Sequence, residues 1–323
     1  MVRHPAFVFP VPEKGDTVRL YLKAAVVADA TTVDELLATH AYAYTGRRSP
    51  TGVARAKLTT PMTFSAIVTG GSRVALGFAH VWRDGGIARF LVVVRPDTRT
   101  SFIIGDALLT FAERCAADFG ATIIKIHQCS EDAGLGTLLS SRSYRVASRI
   151  LQMRVHLTGR ADPGPAAPPD GIDVSHFDPE RDADRLFAVV HEAFPAENDD
   201  ESAWWRDHRD NPARSYTPAL WLVARRDDGD IVGFALGSQR VEDDRIIGHL
   251  GGLGVRVAER GRGIGRALLA AMMSTFADAG FPVMILSVDA GNRTGALSLY
   301  RSVGASETAE ETEWTTALPT AVT

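Results

Sequence analysis

Gly251-Gly-Leu-Gly-Val-Arg-Val-Ala-Glu-Arg-Gly-Arg-Gly-Ile-Gly-Arg266, and further on Leu286-Ser-Val-Asp-Ala-Gly-Asn-Arg-Thr-Gly-Ala-Leu-Ser-Leu-Tyr-Arg-Ser-Val-Gly-Ala305, decide how this chain is read. An apolar strand over Leu250–Val257 runs into a turn of Arg and Gly, and a helix opens at about Ile264. Leu268, Leu269, Met272, Met273 and Phe276 then follow the spacing of a buried helix face. Gly261, Gly263 and Gly265 have no Cβ, so the turn can aim successive backbone N–H groups at one spot. Those groups sit at a helix N-terminus, where four donors lack partners and the dipole is positive. The turn is therefore an anion site, and for a cofactor the expected anion is a phosphate.

A glycine turn alone is not specific. The dinucleotide pattern G-x-G-x-x-G fails, because Gly261-Arg262-Gly263 is followed by Ile264-Gly265 with Ala267 rather than Gly in reach. The P-loop pattern fails as well, since no Lys-Ser/Thr pair follows. The pattern present is R-x-x-G-x-G from Arg260 to Gly265, after a strand. A second strand (Val283–Val288), Asn292 and a short helix carrying Leu299-Tyr300 and closing at Gly304 come next. This pairing resembles the GNAT superfamily of N-acetyltransferases, from about Ile172 to Thr316.

The resemblance implies an acetyl-CoA-dependent acyl transfer with contacts at named positions. The strand matching Leu250–Val257 carries a bulge in the family and splays from its neighbour, leaving N–H groups for the cofactor. Gly251, Gly252 and Gly254 suit such a gap. Cofactor contacts carry over to Leu253, Gly254 and Val255, to Arg260, Gly261, Arg262, Gly263, Ile264, Gly265 and Arg266 of the turn, and to Asn292. From the residues alone, Arg260 and Arg262 are equally solvated surface arginines, and Asn292 is equally a turn residue ahead of a helix.

Acyl transfer to an amine needs a base, a held oxyanion and a proton for the leaving thiolate. Tyr300 matches the family's proton donor to the sulfur. His249 occupies a position where some members carry a glutamate, and strand alternation would put 249, 251, 253 and 255 on one face. It is the candidate base, against a structural histidine or a water chain. Glu242, Asp243 and Asp244 fall in the preceding hairpin turn and are expected to be solvated. Glu197, Asp199, Asp200 and Trp204 lie in the stretch that varies with substrate in the family. They suit a cationic amine by charge pairing and cation–π contact, or equally form a charged helix start over core indoles.

Outward from the motif, Gly159–Asp170 is rich in proline and glycine and divides the chain into 1–158, the 159–170 linker and 171–323. The halves repeat faintly: Gly77-Phe-Ala79 matches Gly233-Phe-Ala235, and Gly105 with Leu108 and Leu109 matches Gly265 with Leu268 and Leu269. The expected fold is α/β with an α+β mixed sheet. It comprises two tandem GNAT-like domains, each a mostly antiparallel twisted sheet with a splayed central strand pair flanked by helices. In the first half Thr100-Ser-Phe-Ile-Ile-Gly105 replaces the glycine turn, and bulky residues there resist positive φ. Leu139 or Ser140 stands in place of Tyr300. The first half thus reads as a degenerate copy, either a structural partner or a CoA binder helped by Arg95 and Arg99.

Composition closes off other classes. A net charge of −4 without a basic block argues against nucleic acid. No apolar stretch reaches membrane-spanning length, and the N-terminus lacks a signal-peptide core. Two cysteines suggest a reducing cytoplasm, and both fall in the first half, which favours direct transfer over a Cys-acyl intermediate. Scattered histidines predict no metal. The expected partner is a small amine, with the chain a monomer or homodimer. A non-catalytic acyl-CoA sensor and a protein lysine acetyltransferase are the alternatives.

Overall fold

The computed structural model describes residues 7–13, 16–49, 51–71, 74–96, 98–158, 167–195, 200–210, 216–243 and 245–318. The first half contains β1 (Phe7–Glu13), β2 (Asp16–Ala24), α1 (Ala30–Thr45), α2 (Val53–Thr59), β3 (Thr63–Thr69), β4 (Ala75–Asp84), β5 (Ile87–Val94), α3 (Ser101–Asp118), β6 (Ile123–Cys129), α4 (Ala133–Ser141) and β7 (Arg145–His156). The second contains β8 (Ile172–His176), α5 (Pro179–Ala193), α6 (Glu201–Asp210), β9 (Trp221–Arg226), β10 (Ile231–Glu242), β11 (Arg245–Val255), α7 (Ile264–Asp278), β12 (Val283–Asp289), α8 (Ala296–Ser302) and β13 (Ser306–Ala317). After β1, the two halves run through the same order of elements. The faint sequence repeat is a full structural one.

The strand over Leu250–Val257, the helix from Ile264, the strand over Val283–Val288 and the short helix closing at Gly304 are present as β11, α7, β12 and α8, and three elements, β1, α2 and α6, are less evident in the sequence. Pro10 and Pro12 do not break the first apolar run. It forms β1, in register with β2 from Phe7↔Leu22 to Glu13↔Asp16. As the outermost strand of its sheet, β1 can carry prolines whose missing N–H groups would have faced no partner. The short helix α2 and the helix α6 were the other two, both too brief to show a clear 3.6-residue period.

The chain forms two compact units. Unit 1 comprises Met1–Leu151, Asp289–Gly291 and Thr308–Thr323, and unit 2 comprises Gln152–Val288 and Asn292–Glu307. Unit 1 orders its strands β1-β2-β3-β4-β5-β6-β13, so the chain's last strand completes the first sheet. β13 pairs antiparallel with β6 from Glu311↔Cys129 to Ala317↔Ile123. Unit 2 orders β12-β11-β10-β9-β8, and the Gln152–His156 end of β7 lies beside β12. There Leu157 N donates to Pro282 O at 2.9 Å. Most of the proline-rich linker, 159–166, falls outside the described residues.

Both units pack helices on the two faces of a sheet. In unit 1, Ile104 and Leu108 of α3 lie under Gly77 of β4. The opposite face buries Val33, Leu36 and Ala54 of α1 and α2 against Ile67, Phe78 and Val93. In unit 2, Leu268, Leu269, Met272 and Phe276 of α7 are buried on one face. α5 packs Leu186, Val189 and Val190 against Val223, Phe234 and Leu236 on the other. α5 is well anchored: Asp178 caps it, accepting from Glu180 N and Arg181 N. The fully buried Asp182 accepts from Arg225 Nη2 at 2.5 Å, which ties the helix to β9.

A charged ladder closes the exposed face where β6 meets β13. His127 Nε2 lies 2.9 Å from Glu313, Nδ1 lies 3.6 Å from Glu311, and Lys125 Nζ donates to Glu313 at 2.9 Å. The hydrogen bond to Glu311, helped by Glu313, raises the His127 pKa to about 9. The bond from His127, with that from Lys125, lowers Glu313 to about 2. The raised histidine stabilises below its ordinary pKa of 6.5, and that contribution is lost as pH rises through 9. The depressed glutamate stabilises above 4.5, and its contribution is lost as pH falls through 2. Thermal melting should therefore decline between pH 6.5 and 9, and His127→Gln should flatten that decline. An unchanged slope in the variant would assign the decline to other groups.

Candidate functional site

The site begins as a fault in the sheet of unit 2. β10 and β11 pair from Glu242↔Arg245 to Gly237↔Leu250, then resume at Leu236↔Gly252, so Gly251 is an extra residue on β11. That is a β-bulge in the strand where the resemblance implied one. β11 pairs parallel with β12 only over Gly248↔Met284, His249↔Ile285 and Leu250↔Leu286, while its pairing with β10 continues to Val255. The two parallel strands part at the bulge. The edge of Gly251–Val255 that faces away from β10 therefore opens into the gap, with Leu253, Gly254 and Val255 along it.

The bulge also changes which side chains share a face. Gly248 faces α7, since a Cβ there would meet the Phe276 ring at 2.5 Å. His249 faces the other way, beside Ser238, with Oγ and Nδ1 3.1 Å apart. Past the extra residue the alternation is inverted. A Cβ on Gly254 would meet Phe234 and Ala193, the α5 side, so His249, Gly252 and Gly254 share a face. The expectation that 249, 251, 253 and 255 line one face holds for 251, whose Cβ would lie 3.6 Å from the His249 ring, and fails for 255, which lies beside Gly265, because a bulge breaks period 2.

The turn beyond β11 has the conformation that its glycines permit. Gly261 and Gly263 adopt φ of 79° and 93°, the left-handed region that residues with a Cβ avoid. Gly263 caps α7, whose first bonds run from Arg266 N and Ala267 N to Gly263 O at 3.0 and 3.1 Å. The N–H groups of Ile264 and Gly265 thus precede the bonded turns, at the positive end of a 15-residue helix. The arginines are held by the loop itself. Arg262 pairs with the buried Glu259, and Arg260 Nε donates to Val255 O at 3.1 Å. Arg266 is exposed.

Leu299 of α8 lies beside Gly265, and the next residue, Tyr300, is only 6% exposed. Burial pushes its phenol up to about 12. Asn292 is exposed at the start of this motif, and its Oδ1 accepts from Thr294 N and Oγ1 at 2.8 and 2.5 Å, a turn role.

Of the two readings of the substrate stretch, the described residues match the charged helix start over core indoles. Glu197 and Asp199 lie outside the described residues. Asp200 caps α6 through Ala203 N at 3.1 Å. Trp204 is 7% exposed, packed among Trp205, Trp221, Phe187 and His208, so it is part of the core. Arg209 lies 4.4 Å over Trp205, so the chain already supplies a cation to that indole. Glu242 is not merely solvated: it accepts from Arg154 Nη2 at 2.5 Å. Asp244 is outside the described residues.

Unit 1 shares the parting but not the bulge or the turn: β5 pairs parallel with β6 only from Ile87↔Ile123 to Phe90↔Ile126, while its pairing with β4 continues to Val94. β4 and β5 pair in one unbroken register from Gly77↔Val94 to Asp84↔Ile87. α3 starts at Ser101, so ordinary helix runs through the positions that match the glycine turn, with Thr100 at φ −96°. Arg95 Nε donates to Ala75 O at 3.1 Å.

An acetyltransferase (GNAT) family profile matches residues 182–305. A mycothiol acetyltransferase from Stackebrandtia nassauensis is 33% identical over 250 residues, covering 75% of this chain and 76% of that protein. The chain belongs to the GNAT family of acetyltransferases. A second mycothiol acetyltransferase, from Thermomonospora curvata, is 32% identical and shares 72% of this chain and 75% of its own. The solved GCN5-related N-acetyltransferase from Sphaerobacter thermophilus superposes with a TM-score of 0.79 at 26% identity, over 92% of this chain and 95% of that one. A tandem GNAT protein of clavulanic acid biosynthesis has the same fold, with a TM-score of 0.70 at 17% identity over 92% and 98% of the two chains. Among the described residues, no helix is long and apolar enough to cross a membrane.

Ser238 was not anticipated, although the register could have shown it: counting back from Glu242↔Arg245 places 238 opposite 249. Ser238 is 8% exposed. If its oxygen accepts the Nδ1 proton, the His249 tautomer is fixed and Nε2 keeps its lone pair. Ser238→Ala should lower kcat/KM for amine acetylation about 10-fold, the size of one such hydrogen bond. The double variant with His249→Gln should be no slower than His249→Gln alone. Additive losses would show that the serine does not act through the histidine.

Proposed function

We propose that unit 2 transfers the acetyl group of acetyl-CoA to the amine of a small metabolite, directly and within a ternary complex. The supporting observation is that one unit combines the bulged, parted strand with the positive-φ glycine turn at a helix N-terminus. Unit 1 does not. Bound acetyl-CoA would supply an acetyl group activated as a thioester.

The chain's own residues divide the remaining work. Backbone N–H groups of Gly261–Gly265 form the cradle for a pyrophosphate, since Gly261, Gly263 and Gly265 carry no Cβ to cover them. Arg260, Arg262 and Arg266 add positive charge around it. Asn292 stands at the head of the α8 motif for the cofactor arm. The parted edge of Leu253–Val255 offers backbone groups to the arm and to an oxyanion. His249 Nε2 takes the amine proton. Tyr300 donates to the departing sulfur. A phenol held near 12 stays protonated through neutral and mildly alkaline pH, as an acid must. The acceptor is a small amine.

Tyr300→Phe should lower kcat about 100-fold or more in a thiol-release assay, while the acetyl-CoA Kd changes less than about twofold. Because the phenol pKa is raised to about 12, wild-type kcat should show no alkaline limb due to Tyr300 below that value. An alkaline limb near pH 10 that vanished in Tyr300→Phe would contradict the buried-acid assignment. A variant with full kcat would remove Tyr300 from the chemistry.

A further inference from the structure

The face of the unit 2 sheet that carries His249 has another charged group on it. Ser238 lies directly opposite His249, and His249 lies opposite Ile285. On the far side of β12, Leu157 N bonds to Pro282 O, and Ser287 Oγ donates to Gln152 Oε1 at 2.7 Å. These two bonds bracket Arg154 and set it beside Ile285. Gln152 meets Ser287, which lies two residues from Ile285 on the same face, so Arg154 shares that face too. Ser238, His249, Ile285 and Arg154 therefore form one row across four strands. Two strand spacings, about 10 Å, separate the backbones of His249 and Arg154.

The surroundings of Arg154 are unusual. Its side chain is 12% exposed, and Nη2 donates to Glu242, itself 19% exposed. Nη1 is buried and has no hydrogen-bond partner among the described residues. A guanidinium presents a fork of donors, and a buried N–H without an acceptor is unfavourable. Nor does stability explain the pair well, because a buried ion pair adds little over apolar residues of similar size. A fixed, oriented donor with one nitrogen unused is suited to a ligand that brings its own oxygen.

We propose that Arg154 is a specificity residue of the acceptor site, and that its Nη1 donates to an oxygen of the acceptor. Glu242 holds the guanidinium in place for that bond. The substrate class is then a primary amine whose skeleton also carries a hydroxyl or carbonyl oxygen, rather than a plain alkylamine. The proposal rests on the reading of unit 2 as an amine acetyltransferase that uses the His249 face.

The test is kcat/KM for paired amines, wild type against Arg154→Met and against Arg154→Met/Glu242→Gln, which leaves no lone buried carboxylate. Glucosamine against cyclohexylamine probes hydroxyls, and alaninamide against sec-butylamine probes a carbonyl. Wild type should prefer the oxygenated member of at least one pair. Both variants should reduce that preference about 10- to 100-fold, the value of a hydrogen bond from a charged donor. The pair that responds identifies the kind of oxygen. Titration of acetyl-CoA should give the same Kd in all three proteins, which shows that unit 2 is folded. A preference unchanged in the variants, or absent from wild type, overturns the role of Arg154 while leaving the transferase reading intact. A wild type that binds acetyl-CoA and acetylates none of the four amines contradicts the small-amine reading, and the proposal falls with it. If both variants lose acetyl-CoA binding as well, Arg154 is structural and the proposal is wrong.

Discussion

The parting of β11 from β12 after Leu250 is the constraint on which the rest depends. A parallel pair that stayed zipped would use every backbone donor along its edge within the sheet. β11 leaves β12 at the extra residue Gly251, and the bulged edge lies inside a compact, helix-covered unit. Unpaired backbone groups in such a place are tolerated when a ligand can satisfy them. The same bulge puts Val255 on the side of Gly265 and off the face that carries His249.

The comparison between units gives this argument its control. They share an order of elements, a parallel central pair and helices on both faces. Both parallel pairs part while the antiparallel neighbour continues, but unit 1 keeps the regular register in β4 and β5, and its helix α3 begins four residues before Gly105, where unit 2 has its turn. Shared architecture has been retained for packing, while the features that need special backbone geometry are found in one unit. Fold and function thus separate physically within a single chain.

Much of this was legible in the sequence. The helix and strand pattern of Leu250–Val288 fixed the core of unit 2, and glycines at 261 and 263 announced positive φ because nothing else adopts it easily. Other features were hidden for definite reasons. β1 was masked by Pro10 and Pro12, whose effect depends on which strand lies at the edge. The face shared by His249 and Gly254 depends on a bulge whose position only the pairing reveals. Trp204 was open between a cation receptor and a core indole, because sequence cannot show that Trp205, Trp221 and His208 already surround it. Arg154 reaches the His249 face from a strand of the first half, a placement that no local spacing encodes.

The measurement that tests the account most directly is isothermal titration of acetyl-CoA into the wild-type protein and into Gly263→Glu, with stoichiometry resolved. A carboxylate at a position held at φ 93° would both strain the turn and repel a phosphate. The account predicts one site per chain in wild type and none in the variant. Two sites in wild type would mean that unit 1 binds without the bulge and turn. Binding that survives the substitution unchanged would contradict the central claim that the glycine turn of unit 2 holds the cofactor.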